Sequence, residues 1–385
     1  MDLLKKLSLV SDNMDVEDGE ELETSIDHCP NKTELKNEPW VTNAKISGGK
    51  SIALLKSVIT SACERNCKYC AFRAGRNFRR VTFTPDEMAN TFINLYQKKV
   101  IEGLFLSSGI AGGGIRTQDK IIDTAQILRQ RHNFSGYLHL KIMPGAESDQ
   151  IIELMRWADR VSINLEAPNP ERLGMLAPKK NFAEELFSRL KWVEEIRKSK
   201  NAYRNWKHKW PSLTTQLVVG PSGESDLELL KTSDYLFRNF NLARIYFMTF
   251  KPVIDTPFEN LPAENPVRGH RLYQASFLLR DYGFSFEDIE FSQNGRLSLD
   301  IDPKKLWADK NFREKPIEIN TASREELLRI PGIGPKRVEL ISKYRTKQKI
   351  KAIDELRSLF ILPEKIRDYV LVDGKRPARQ LKFDF

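Results

Sequence analysis

Cys63, Cys67 and Cys70 stand within eight residues of one another in the stretch ITSACERNCKYCAFRAGR, spaced Cys-x3-Cys-x2-Cys. Three thiolates on one short loop can each ligate one iron of a [4Fe–4S] cluster and leave the fourth iron without a protein ligand. An open iron can chelate a small molecule and pass it an electron, whereas a cluster with four cysteine ligands suits electron storage or structure. The competing reading is structural zinc, which takes four ligands in paired arms. The one further cysteine, Cys29, lies far back in a polar segment and reads as a bystander. A disulfide framework has no purpose in a chain of 385 residues, which can bury an ample core without staples.

A second site is written near the end of the chain, in IEINTASREELLRIPGIGPKRVELISKYR. Thr321 or Ser323 is placed to cap a helix ending at Ile330, the tight turn Pro331-Gly332-Ile333-Gly334 follows, and a second helix runs from Pro335 to Tyr344. Two glycines let backbone N–H groups approach a phosphate at a helix N-terminus, where the dipole also favours an anion. Lys336 and Arg337 add charge. Such contacts position a duplex without reading its bases. The pattern resembles a helix–hairpin–helix motif, with a purely structural hairpin or a protein contact as the alternative. The text KAIDELRSLFILPEKIRDYVLV resembles a degenerate second copy in which LPEK replaces the glycine turn, and it completes a two-hairpin fold.

The elements that must carry these sites follow from patterning. Apolar β-type runs at 51–60, 103–108, 136–143, 160–166, 214–220 and 243–250 alternate with helical stretches, which implies a parallel sheet. The helix TPDEMANTFINLYQKK has Thr84 at the N-cap and Pro85 at its first position. Crossovers of one hand curl such a series into an α/β partial (β/α)6 TIM-type barrel, with ligands at the carboxyl ends of the strands. The expected organisation is a polar acidic leader over 1–45, partly disordered, a barrel core over 46–312, a small all-α helix-hairpin-helix domain over 313–375, and a basic tail over 376–385.

The cysteine spacing, with Tyr69 just before the last cysteine, resembles the signature of the radical S-adenosylmethionine (SAM) superfamily. The resemblance implies a [4Fe–4S] cluster on Cys63, Cys67 and Cys70, SAM bound at its open iron, and cleavage to methionine and a 5′-deoxyadenosyl radical that abstracts a hydrogen atom from substrate. It also implies a cofactor-binding set. Ser107, Ser108 and Gly109 match the strand-end segment that receives the SAM amino group, although a Ser-Ser-Gly there could equally be a tight turn. Asn164 and Glu166 match polar residues that reach the ribose or the methionine moiety, and Gly220 to Glu224 in VVGPSGES match the adenine-side segment; each of these could instead be local structure. Together with the terminal hairpin, these texts resemble a bacterial family of radical SAM proteins associated with DNA modification or repair, over roughly residues 50 to 375.

Composition agrees with that direction. Hydrophobic residues make up 40% and charged residues 30%, no run is long enough to span a bilayer, and the start of the chain turns acidic where a signal peptide would turn apolar. The expected location is cytoplasmic. The net charge is +10, and residues 315–385 hold 17 Lys and Arg against 10 Asp and Glu, which favours a polyanionic partner at that end. The segment IRKSKNAYRNWKHKWP reads either as a solvated helix end or as a nucleic-acid contact through Arg197, Lys198, Lys200, Arg204, Lys207, Lys209 and the aromatics Tyr203, Trp206 and Trp210. The first functional expectation is a radical SAM enzyme acting on DNA, supplied with electrons by a donor such as flavodoxin or ferredoxin. The alternatives are the same chemistry on RNA, and a DNA-binding protein whose cluster is structural or redox-sensing. No residue stands out as a general acid or base; His132, His139, His208 and His270 lie in ordinary surroundings.

Overall fold

Near-continuous apolar strands separated by amphipathic helices need cover on both faces, and the chain supplies it by winding each helix back over the sheet. The computed structural model describes residues 2–11, 38–45, 51–199 and 206–378. These divide into two compact units, one of residues 1–224 with 236–265 and one of 225–235 with 266–385.

The first unit is built on a seven-stranded sheet in strictly sequential order, β1 (Val41–Lys45), β2 (Ser51–Val58), β3 (Gly103–Ser107), β4 (Tyr137–Lys141), β5 (Arg160–Ser162), β6 (Ser212–Val219) and β7 (Arg244–Thr249). From β2 to β7 every pairing is parallel. Sequential parallel order curls the sheet one way into a partial barrel, as the patterning predicts. Helix α1 (Leu3–Ser11) precedes the sheet, and α2 (Pro85–Gln97), α3 (Gly114–Gln126), α4 (Ser148–Trp157), α5 (Pro170–Leu176), α6 (Ser188–Lys198) and α7 (Asp226–Phe240) fall between strands. Thr84 and Glu87 form a full capping box at the start of α2, with Pro85 in the first turn. Phe83, Phe92, Leu104, Leu106, Leu140, Val161, Leu217 and Phe247 are buried.

One strand was not legible. β1 pairs antiparallel with β2, Val41 opposite Leu55 through Lys45 opposite Ser51, and Trp40 and Ala44 are buried. An open barrel leaves an unpaired edge, and this strand covers it; VTNAK is too short and too polar to announce itself. The stretch read as a leader thus carries α1 and β1 at its two ends, while residues 12–37, with Cys29, lie outside the described residues. Three described residues of the basic–aromatic segment are engaged within the unit: the Arg129 guanidinium lies 3.8 Å from the Trp206 ring centroid, Lys207 pairs with Asp159 at 2.5 Å, and Arg197 donates to the Pro211 carbonyl at 2.6 Å. Those side chains are structural, which favours the plainer of the two readings for them. Lys200, Tyr203 and Arg204 lie outside the described residues.

The second unit holds α8 (Pro266–Asp281), α9 (Pro303–Asn311), α10 (Arg324–Arg329), α11 (Pro335–Arg345) and α12 (Pro363–Ile366), tied by a two-residue parallel ladder between β8 (Ile317–Glu318) and β9 (Val370–Leu371). Its core runs through both hairpins: Leu327, Ile330, Ile333, Val338 and Ile341 of the first meet Leu356, Ile361 and Ile366 of the second. Ala308 of α9 belongs to the same core, and Tyr282, Trp307 and Phe312 pack against it. The compact unit therefore takes in residues 266–312, ahead of residue 313 where the sequence pattern changes character.

Candidate active site and nucleic-acid interface

The cysteine loop leaves the carboxyl end of β2 and is fixed by Arg80. One nitrogen of its guanidinium donates to the carbonyls of Ser61 and Phe72 at 2.9 and 3.1 Å, and the other to that of Arg73 at 2.8 Å. Cys63, Cys67 and Cys70 all line one cavity at the strand ends. The Sγ atoms of Cys63 and Cys70 accept backbone N–H bonds, from Arg65 at 3.4 Å and Ile110 at 3.5 Å and from Phe72 at 3.4 Å. Cys67 is buried, and burial pushes its thiol above the ordinary value, with Lys180 pulling the other way.

The segment after β3 docks against that loop. Gly109 donates to the Thr60 carbonyl at 2.7 Å, and a Cβ on Gly109 would lie 2.3 Å from the Ala62 carbonyl oxygen, so only glycine allows the two backbones to cross there. Ser107, Ser108 and Gly109 line the cavity, and the Ser108 hydroxyl is buried and has no hydrogen-bond partner among the described residues. A buried hydroxyl without a partner is rare enough to require an explanation, and a ligand in the cavity supplies one.

Tyr69, Asn164 and Glu166 line the same cavity. Glu166 sits in a left-handed conformation at φ 65°, which for a non-glycine residue costs about 1–3 kcal/mol. Its backbone N–H is held by the Gln216 carbonyl at 3.0 Å, and its carboxylate accepts from Lys180 Nζ at 2.8 Å. Burial opposes ionisation of Glu166, yet Lys180 and Lys141 hold its carboxyl below the usual range. Burial likewise works against the Lys180 charge, but Cys67 and Glu166 hold its ammonium above the ordinary value. The Tyr69 hydroxyl is raised well above normal, by burial first and then by the neighbouring Glu166 and cysteines.

Gly220 and Glu224 are placed differently. Gly220 has φ 117°, its N–H donates to Glu224 Oε1 at 2.6 Å, and Glu224 Oε2 accepts from Ser222 at 2.7 Å. Neither residue is among those lining the cysteine cavity; their contacts close the turn after β6. Lys141, Lys180, Gln216 and Met248 do line it and were missed. Lys141 and Gln216 carried a signal, a polar residue inside an apolar strand text, since buried lysine is rare without a role. Lys180 lies on a loop and carried none.

The donor set suits an iron–sulfur cluster bearing SAM. Among the described residues no three His, Cys, Asp or Glu side chains converge on one metal-ion position. A [4Fe–4S] cluster takes one cysteine sulfur per iron, and three cysteines lining one cavity provide such a set.

In the second unit Ser323 is the residue that caps α10, with Glu326 completing the capping box. Gly332 adopts φ 84°, and Gly334 forms the N-cap of α11 with Pro335 in its first turn. Lys336 is exposed, whereas Arg337 donates to the Gly332 carbonyl at 2.5 Å and braces the turn. The buried Lys304 donates to the Ile333 carbonyl at 2.6 Å. No helix among the described residues is long and apolar enough to cross a membrane.

The sequence profile of the Radical SAM superfamily matches residues 57–236, and that of a helix-hairpin-helix motif matches residues 313–366. Among solved structures, the FeFe-hydrogenase maturase HydG from Carboxydothermus hydrogenoformans is similar at 15% identity and TM-score 0.46, over 59% of this chain and 51% of that one. Methylornithine synthase (PylB) is similar at 13% identity and TM-score 0.46, over 59% and 61%. A radical SAM methyltransferase from Sphaerobacter thermophilus is similar at 16% identity and TM-score 0.44, over 62% and 70%. The chain spans about half the length of the HydG structures it matches. No curated protein matches it.

Proposed function

We propose that this chain, whose residues 57–236 match the Radical SAM superfamily profile, is a radical SAM enzyme that holds a [4Fe–4S] cluster on Cys63, Cys67 and Cys70 and acts on DNA, in modification or repair. When bound, the cluster and SAM supply a 5′-deoxyadenosyl radical that abstracts a hydrogen atom from the substrate. The observation that carries this reading is one cavity at the strand ends shared by the three cysteines, Tyr69, the Ser107-Ser108-Gly109 segment, Asn164 and Glu166.

The residues of the chain divide the work. The Ser108 hydroxyl, unsatisfied and buried, accepts or donates a hydrogen bond to the bound cofactor. The Glu166–Lys180 pair presents a fixed carboxylate beside the cysteine loop. Gly332, Gly334 and Lys336 bind backbone phosphates of DNA, with Arg337 stiffening the turn. A base inside a duplex cannot reach a buried cavity, so the target nucleotide is single-stranded or extruded from its stack. A flavodoxin or ferredoxin supplies the electron.

The experiment is low-temperature electron paramagnetic resonance of the anaerobically reconstituted, reduced protein, before and after SAM is added. A four-iron signal that changes on addition is the expected result. An unchanged four-iron signal leaves the structural or sensor role, and no cluster at all returns the case to zinc. Formation of 5′-deoxyadenosine stimulated by structured RNA and not by DNA would overturn the choice of nucleic acid.

A further inference from the structure

Side chains alternate along a strand, and the inward set of this partial barrel is polar where a structural barrel would be filled with branched apolar residues. These inward groups line a second cavity, including Lys56, His139, Lys141, Ser162 and Tyr246. It shares Lys141, Asn164 and Gln216 with the cysteine cavity, so the two adjoin. Among the described residues, two lysines and a histidine line the inner cavity, and no carboxylate does.

Lys141 is the telling residue. It is 8% exposed, and among the described residues its ammonium makes no hydrogen bond and no ion pair. The Phe105 ring lies with its centroid 5.8 Å from the ammonium. The carboxylate in its field, Glu166, meets Lys180 through Oε1, and among the described residues neither of its oxygens hydrogen-bonds to Lys141. A buried cation without a partner is costly and is normally compensated by an opposite charge. Around it Asn164 and Gln216 are buried, and among the described residues the Gln216 amide donates only to the thioether of Met248 at 3.3 Å, a weak acceptor that a ligand oxygen would outcompete. His139 is bonded to Ser162 at 2.9 Å and completes a polar wall.

We propose that the inner cavity receives an oxyanion, a phosphate or carboxylate carried by the reacting unit of the substrate, with Lys141 as countercharge and Asn164 and Gln216 as further hydrogen-bonding groups. The inference rests on the proposed placement of the cofactor in the adjoining cavity. The unit would then be held from inside the barrel, with its reactive carbon presented toward the cysteine end.

The test uses the full chain with its cluster reconstituted. Thermal unfolding is followed under titration with sodium phosphate, with sodium acetate, and with thymidine 5′-monophosphate against thymidine, all at constant ionic strength. Wild type and Lys141→Arg should be stabilised by the oxyanion, while Lys141→Met should show an apparent dissociation constant about tenfold higher or more, the scale of one lost charged hydrogen bond. Without anions, Lys141→Met should melt no lower than wild type, because a buried unpaired charge has been replaced by an apolar chain. Lys141→Gln repeats the neutralisation if the methionine variant does not fold. An equal response in wild type and both neutral variants overturns the inference. A stronger effect of the nucleotide than of acetate assigns a nucleotide phosphate, and an effect of acetate without gain from the nucleotide assigns a carboxylate. The SAM-induced change in the cluster signal separates the two ideas. Its absence in wild type defeats the proposed function and leaves the anion site standing; its loss in Lys141→Met alone assigns the Lys141 ammonium to the cofactor and overturns the inference.

Discussion

The cysteine cavity and the hairpin unit each bury a lysine, with opposite results. Lys180 is matched by Glu166 and by the cysteine loop, and its ammonium is held above the ordinary value. Lys304 meets one carbonyl, that of Ile333, and burial together with nearby Arg337 pushes it down to about 7, against the partial support of Asp302. The first region is organised to keep charge inside the fold, the second to present charge and backbone at its surface. The difference predicts where each is fragile: the cavity fails by losing a side chain or a close backbone crossing, the hairpin by small changes in turn geometry and surface charge.

The largest effect falls on the cavity. Cys63→Ala, Cys67→Ala or Cys70→Ala should each abolish cluster assembly or leave it unstable, with the iron content of the purified protein as the measure and DNA binding by the hairpin preserved. Retention of a full four-iron cluster in all three variants would sink the ligand assignment. Next comes Gly109→Val. A Cβ there would lie 2.3 Å from the Ala62 carbonyl, and neither backbone is a flexible side-chain end that can swing aside. The expected loss is about 2–4 kcal/mol of stability, together with impaired cluster loading; a variant as stable and as iron-rich as wild type would show that the crossing is not needed.

A pH series tests the second half of the contrast. The folded-state pKa of Lys304, about 7, lies below its unfolded value near 10.4. Between those values the unfolded chain binds a proton that the folded chain does not, so stability rises with pH across that window and is flat with respect to this group below about 7. The slope from Lys304 is at most about 1.4 kcal/mol per pH unit. Denaturant midpoints of wild type and Lys304→Met, measured from pH 6 to 10, should diverge on the acid side, with the variant losing the rise. Parallel curves would mean that Lys304 stays protonated in its buried place.

What could be read in the sequence was local. The three cysteines are legible because type and spacing within one loop are enough, and the hairpin because two glycines and a capping residue must sit at fixed offsets. Ser107, Ser108 and Gly109 were legible as a strand end, and Lys141 carried a signal, a lysine inside GYLHLKIM, that points to the barrel interior. Lys180 was illegible because the tertiary fold alone brings its loop to Glu166. Gly220 and Glu224 match a ligand segment in text, yet they lie outside the lining of the cysteine cavity and hydrogen-bond across the turn after β6. The assignment of α8 and α9 to the hairpin unit depends on which core their apolar faces meet, and neither helix states that in its own pattern.

The smallest predicted effect separates two neighbours. Lys336 is exposed beside the Gly332–Gly334 turn, free to meet a phosphate, whereas Arg337 spends a hydrogen bond on the Gly332 carbonyl. Lys336→Ala should leave stability within about 0.5 kcal/mol of wild type, weaken DNA binding several-fold, and lower the dependence of log K on log salt by about one charge. Arg337→Ala should instead lower the stability of the turn by about 1 kcal/mol, and any weakening of DNA binding should follow that loss of order more than the salt slope. Binding isotherms at several salt concentrations, paired with denaturant unfolding, distinguish the two. If Arg337→Ala reduces the salt slope as much as Lys336→Ala does and leaves stability unchanged, both side chains meet phosphates, and the bond to Gly332 is given up on binding.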